Sequence, residues 1–149
     1  MAIAVTLHVL AAVIWVGGMF FAYFALRPAA QGFEPAVRLP LWTRTFTRFF
    51  VWVWLAVVLL PATGYWMVFR VMGGMDHLPH YVNVMQGLAL IMIMVFLHIF
   101  FAPYRRMRQA VARGDWPDAG RRLGQIRKLV LVNLTIGIAT IAIAVWGSH

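Results

Sequence analysis

The chain has 149 residues, of which 63% are hydrophobic and 11% are charged, and its mean hydropathy is +0.81. A water-soluble domain of this length needs more polar surface to cover one core, so the composition indicates an integral membrane protein. The absence of cysteine excludes disulfides, c-type haem attachment and thiolate metal sites.

Four segments of the chain are apolar enough to cross a bilayer, which takes about 20 residues per helical span. They lie at about 3–26, 49–70, 83–104 and 129–147. The first segment has no basic leader and no small-residue cleavage site, so we interpret it as a retained span rather than a signal peptide. We therefore predict an all-α, integral membrane four-helix bundle that forms a single transmembrane domain over residues 1–149.

The basic residues lie almost entirely in two of the three connecting loops. The loop after the first span carries Arg27, Arg38, Arg44 and Arg48, and the loop after the third span carries most of the others. Only Arg70 lies between the second and third spans. The positive-inside rule then predicts cytoplasmic basic loops and non-cytoplasmic N and C termini, which are periplasmic in a bacterial inner membrane. We therefore interpret the net charge of +9 as a topology signal that also favours contact with anionic lipids, and not as a sign of nucleic-acid binding.

Both basic loops contain helical patterns. In 33–48, apolar and basic residues alternate in a way typical of an interfacial segment that leads into the second span. In the second basic loop, Asp115 followed by Trp116, Pro117 and Asp118 predicts a helix start, with Asp115 as the N-cap and proline in the first turn. This helix is expected to continue through Ile126 into the fourth span.

Histidine and methionine are the candidate ligands inside the spans. His8 is expected about 8 Å below the outer face, and His98 about 22 Å below the same face, at 1.5 Å per helical residue. Straight helices therefore separate the two histidines by about 15 Å, too far apart to bind one metal ion or one haem iron together.

The inner layer around His98 is expected to contain Met19 and Asn133. A pair of His98 and Met19 suits a haem iron or a soft copper ion. The alternative is that His98 forms a hydrogen bond to a neighbouring helix through Asn133 and that Met19 only fills space.

The outer layer has more candidate ligands. Thioethers and imidazoles suit Cu(I), and imidazole with a carboxylate suits Cu(II). The candidate metal ligands on this side are His8, Met72, Met75, His77 and His80. The alternative is a glycine-rich turn whose methionines and histidines only touch lipid headgroups.

The chain resembles a known family. The stretch from Leu7 to Met19 is similar to the opening helix of the CopD (copper resistance D) group of bacterial inner-membrane proteins, and Pro103-Tyr104-Arg105-Arg106 is similar to a later part of its small members. This resemblance implies copper resistance or copper uptake. The four-helix unit also resembles membrane b-type cytochromes and HemJ, a haem-binding protoporphyrinogen oxidase, which implies His8 or His98 as a ligand of haem b. Lys128 is the only lysine, so no lysine at membrane depth matches a HemJ catalytic pattern.

Three functions are consistent with these patterns. The first is a copper-handling protein, with periplasmic copper as its partner. The second is a protein that binds b-type haem and serves an electron-transfer partner or quinone-linked redox chemistry. The third is an accessory subunit without a cofactor, and a homo-oligomer is compatible with each. The chain has no Ser/His/Asp set and no HExxH motif, so catalytic residues and enzymatic activity stay unassigned.

Overall fold

The computed structural model describes residues 1–149 and contains four long helices. These are α1 (Ala2–Ala30), α2 (Pro35–Arg70), α3 (His80–Ala112) and α4 (Trp116–Gly147). A single 3₁₀ turn, Met75–His77, lies between α2 and α3, and no strand is present. Each long helix contains a stretch that is long and apolar enough to cross a membrane, so the predicted all-α architecture with four spans is confirmed.

The helices are longer than the predicted spans. The two basic loops shrink to turns at 31–34 and 113–115, because their flanking residues extend the helices. Helices of 29 to 36 residues are roughly 44 to 54 Å long and exceed the ~30 Å of bilayer hydrocarbon. We call the end with these two turns the basic end. The opposite end, with both termini and the 71–79 connection, is the terminal end.

Prolines shape the two helical hairpins in the same way. The first helix of each hairpin contains one wide π turn, at Ala22–Leu26 in α1 and Phe100–Tyr104 in α3. Pro28 follows the first π turn by two residues, and Pro103 lies within the second. Proline favours such local widening because it has no N–H and its ring clashes with the carbonyl four residues earlier.

The second helix of each hairpin begins with proline in its first turn, where the missing N–H costs little. At the start of α4 the side chain of Asp115 accepts a hydrogen bond from the backbone N–H of Asp118 at 3.2 Å. The predicted N-cap and helix start are therefore confirmed.

An aromatic core holds the basic half of the bundle together. The Phe50 ring lies 5.4 Å from that of Phe96 and 4.9 Å from that of Tyr104, in edge-to-face contacts that join α2 to α3. The Tyr104 hydroxyl lies 2.6 Å from Oγ1 of Thr47. Because Thr47 donates its own hydrogen to the Thr43 carbonyl, it accepts one from Tyr104.

The terminal half of the bundle contains far fewer buried side chains. No residue in 1–10, 80–91 or 138–149 is buried, and only Thr63 and Val68 of α2 are buried near this end. Many large apolar side chains on the outside are exposed, including Ile3 at 76% and Met94 at 69%. In a bilayer these side chains face lipid, and most of the buried core lies in the basic half of the bundle.

Candidate functional site

His8 forms the one side-chain hydrogen bond that joins α1 to α2. Its Nδ1 lies 2.8 Å from Oγ1 of Thr63, whose side chain is buried. The next residue on α2 is Gly64, where an added Cβ would lie 3.4 Å from His8 Cε1. The imidazole thus packs against bare backbone at Gly64 while the neighbouring hydroxyl fixes its ring.

The hydrogen bonds of Thr63 define the tautomer of His8. The Thr63 hydroxyl has one hydrogen, and its oxygen lies 2.5 Å from the Leu59 carbonyl, which can only accept. Thr63 therefore donates to Leu59 and accepts from His8, so the proton of the neutral imidazole is on Nδ1. The lone pair is then on Nε2, and Thr63, the one side-chain partner of the ring, lies on the Nδ1 side. This is the arrangement of a histidine ligand oriented by an outer-shell partner.

His8 and Thr63 occupy the same level of the bundle. His8 lies six residues from the start of α1, and Thr63 lies seven residues from the end of α2. At 1.5 Å per residue, both are about 10 Å from the terminal end. The level agrees with the depth expected for His8 from its position in the first span.

The other candidate ligands of the outer layer lie in or beside the 71–79 connection. Met72 is half-buried, whereas Met75, His77 and His80 are exposed. The chain reverses at Gly73 and Gly74, whose φ angles of 79° and 105° suit glycine, since side chains are disfavoured there. No three His, Asp or Glu side chains converge on one point. The predicted outer ligands thus share one end of the bundle but do not form a closed metal site.

The structure does not bring the candidate residues of the inner layer together. His98 is exposed and lines an open groove between α3 and α4, because its neighbours Phe96 and Ile99 face the core. Met19 is buried in the core at 3% exposure. Asn133 donates from Nδ2 to the backbone carbonyl of Met92 at 3.1 Å and forms no hydrogen bond to His98.

The groove beside His98 is basic. Arg106 of α3 and Lys128 of α4 line it together with Gln125. An imidazole and two cations therefore face the lipid or the interface at this level. The buried Oδ1 of Asn133 has no hydrogen-bond partner, but it belongs to the core side of α4 and not to this groove.

Two features of the structure were not predicted from the sequence. One is the partnership of Thr63 with His8, for which the only signal was a polar residue next to Gly64 at a comparable depth of the second span. The other is a crevice at the basic end lined by Arg27, Arg38 and Arg127. These arginines were assigned to topology alone, since they are far apart in the sequence.

Comparison with known families gives one match. The family model described as copper resistance protein D matches residues 43–147, more than two thirds of the chain. The matched part contains Thr63, the 71–79 connection and His98, whereas His8 and Met19 lie outside it. No curated protein and no solved structure matches the chain. The chain therefore belongs to the copper resistance protein D family.

Proposed function

We propose that this protein handles copper in the bacterial inner membrane and that His8 is its intramembrane copper ligand. The observation that carries the proposal is the hydrogen bond from His8 to Thr63, which places the proton of the neutral imidazole on Nδ1 and its lone pair on Nε2. Family membership supports a copper-related role in a membrane. Imidazole nitrogen is a ligand that suits both Cu(I) and Cu(II).

The connection between α2 and α3 supplies the other ligands in this proposal. Met72 and Met75 offer thioether sulfur, and His77 and His80 offer imidazole, all at the end of the bundle where His8 lies. Glycines 73 and 74 allow this connection to rearrange, and its exposed side chains can collect copper before it reaches His8. By the positive-inside rule this end faces the periplasm, so copper is received from outside the cell.

Charge supports the terminal end as the receiving side. Of the 13 basic residues, only Arg70 lies near this end, while the other 12 lie toward the basic end. The positive charge at the basic end repels a free copper cation there. The terminal end has little positive charge, so a copper cation can approach it. In this proposal the groove at His98 is a second copper-binding site, closer to the cytoplasm.

Copper analysis of purified protein tests the proposal. The wild-type protein, His8→Ala and Met75→Ala are loaded with Cu(I), washed in detergent and measured for copper per chain. We expect loss of most of the bound copper in His8→Ala and a partial loss in Met75→Ala. Met94→Ala is the matched control, because Met94 is an exposed thioether that faces lipid at 69% exposure. Unchanged copper in both test variants would remove the proposed ligands.

A second candidate function is haem binding at His98, and the basic groove favours it. An imidazole can be the axial ligand of haem b, and Arg106 and Lys128 can pair with the two propionates. The structure offers no second histidine at this level, so such a haem has one histidine ligand from this chain. The resemblance to HemJ and b-type cytochromes stays a prediction.

An absorption spectrum distinguishes the two candidates. Protein from haem-replete cells shows a Soret band that shifts on dithionite reduction if haem binds, and His98→Ala removes this band. A colourless preparation that binds copper supports the first candidate alone. A preparation with neither copper nor haem supports the accessory subunit without a cofactor.

A further inference from the structure

A crevice at the basic end brings three arginines from three helices together. Arg27 comes from α1, Arg38 from α2 and Arg127 from α4, and Gln31 adds an amide to the same opening. The Arg27 guanidinium carbon lies 5.1 Å from the centre of the Tyr23 ring, so a cation–π contact orients this side chain. The crevice is therefore lined by positive charge from three separate parts of the chain, and the Arg27 side chain is oriented by its aromatic contact.

No acidic residue neutralises these arginines. The chain has four acidic residues, and every ion pair in the structure involves Asp115 or Asp118. Their partners are Arg113, Arg121 and Arg122, none of which lines the crevice. Arginines that line one crevice without a carboxylate partner repel one another, and an anion bound in the crevice offsets this repulsion.

The crevice also has room for a ligand and an apolar wall. Gly120 and Gly124 of α4 form part of its lining, and a Cβ added at either would meet no atom within 4 Å. Phe46 and Val130 line the same crevice. Arg27 and Arg127 stand at the border of the apolar spans, which is the level of lipid headgroups.

We propose that this crevice binds the phosphate group of an anionic phospholipid, with an acyl chain lying along the apolar wall. Arginine forks match the geometry of phosphate oxygens, and anionic lipids are concentrated in the cytoplasmic leaflet. The apolar wall favours a lipid over a soluble phosphate compound, which has no acyl chain to place there. The proposal does not depend on copper binding, since the crevice lies at the opposite end of the bundle from His8.

Native mass spectrometry of the detergent-purified chain tests the proposal. The protein is titrated with dioleoyl phosphatidylglycerol, with dioleoyl phosphatidylcholine, and with inorganic phosphate as the soluble source of the same group. We expect the anionic lipid to bind at least about tenfold more tightly than the zwitterionic lipid, and inorganic phosphate to bind far more weakly. Equal binding of the two lipids, or tight binding of inorganic phosphate, would overturn the assignment to an anionic lipid.

Charge-matched variants locate the binding. Arg127→Gln and Arg27→Gln should weaken binding of phosphatidylglycerol by about tenfold each, because each removes a charge-assisted hydrogen bond. Arg44→Gln and Arg105→Gln remove the same charge from exposed arginines outside the crevice and should change affinity by less than about twofold. An equal effect of all four variants would show attraction by overall charge and no crevice site.

A variant that fills the crevice without changing charge gives an independent test. Gly124→Leu places a side chain in the open space of the crevice and raises helix propensity, so the fold is expected to persist. Gly87→Leu is the control, since its added Cβ also meets no atom within 4 Å but does not line the crevice. We expect loss of tight lipid binding in the first variant only. Retained binding in Gly124→Leu, with helical content unchanged, would contradict the proposal.

Discussion

The two ends of the bundle hold their polar groups in opposite ways. At the terminal end charged side chains are few: one imidazole is tied to one buried hydroxyl, and the thioethers and other imidazoles nearby lie in an open connection. At the basic end the groups are cationic and crowded, and a dense aromatic core supports them. The amino acids at each end therefore suit ligands of opposite charge.

This difference shows how one small bundle can offer ligands for a metal cation at one end and for an anion at the other. Neutral imidazole and thioether donate lone pairs and therefore suit a metal cation. When few of these ligands are held in place, the bound metal ion can exchange readily. Guanidinium groups have no lone pair to offer and suit anions. The core between the two ends separates them by most of the membrane thickness, so changes at one end should leave the other unaffected.

The largest expected effect comes from crowding the imidazole. Gly64→Val adds two methyl groups beyond a Cβ that already lies 3.4 Å from His8 Cε1, and we expect them to displace the imidazole ring. Copper affinity, measured by competition with a Cu(I) chelator, should fall by about 10- to 100-fold, as for the loss of ligand orientation. Gly64→Ala is the matched control and should bind normally, because its Cβ makes an ordinary contact. Normal affinity in the valine variant would separate copper binding from His8.

A smaller effect is expected from removing the hydroxyl that holds the ring. Thr63→Val keeps the shape of the side chain but removes the acceptor for His8 Nδ1–H. We expect copper affinity to fall by about tenfold and the free energy of unfolding to fall by about 0.6 to 1.7 kcal/mol, as for other interhelical hydrogen bonds in membranes. Nitrogen-15 NMR of the imidazole should show a mixture of tautomers in the variant and one tautomer, protonated at Nδ1, in the wild type. Identical spectra would contradict the assigned tautomer.

The cap of α4 tests whether the ends are independent. Asp115→Ala removes the acceptor for the Asp118 backbone N–H, and stability should fall by about 1 kcal/mol, as for other N-caps. Copper affinity should stay the same, because the cap lies at the basic end. Glu34→Ala is the control, since Glu34 also lies at the basic end, but its side chain forms no capping hydrogen bond and no ion pair. A drop in copper affinity in Asp115→Ala would show that the two ends are coupled.

The smallest expected effect is the loss of stability at low pH that results from protonation of Asp118. The hydrogen bond from Arg121 lowers the pKa of Asp118 below its ordinary value of 3.8, and the charges of Arg122 and Arg113 lower it further. A carboxyl with a lowered folded-state pKa stabilises the fold above its unfolded pKa and loses that contribution as pH falls through the folded pKa. Thermal stability should therefore decrease below about pH 4. In Asp118→Asn the loss of thermal stability below about pH 4 should be smaller. If thermal stability depends on pH in the same way in both proteins, the proposed role of Asp118 is wrong.

The sequence predicted the spans and the start of α4 because both depend on local patterns. Stretches without charged residues indicate where each membrane span lies. Asp115, with a proline two residues later, marks the N-terminus of α4. The continuation of α1 and α3 beyond their spans was not predicted, whereas the start of α4 ahead of its span was. Charged residues interrupt a hydropathy pattern, but arginine is a strong helix former, so α1 and α3 continue beyond the hydrocarbon.

The candidate site was less predictable because it depends on helix rotation and on register between helices. The sequence gives the depth of His98 but not the side of α3 on which it lies: His98 is exposed, whereas Met19 and Phe96 are buried in the core. The pairing of His8 with Thr63 joins residues 55 positions apart in the sequence. It follows from the register of the α1–α2 hairpin, and no local pattern encodes that register.

X-ray absorption at the copper K-edge tests the central claim most directly, because it identifies the atoms bound to the metal. Protein loaded with Cu(I) should show nitrogen scattering from imidazole together with sulfur scattering from thioether. The imidazole signal should decrease in His8→Ala, and the sulfur signal should decrease in Met75→Ala. A copper spectrum that is the same in the wild type and in both variants would contradict a copper site at the terminal end.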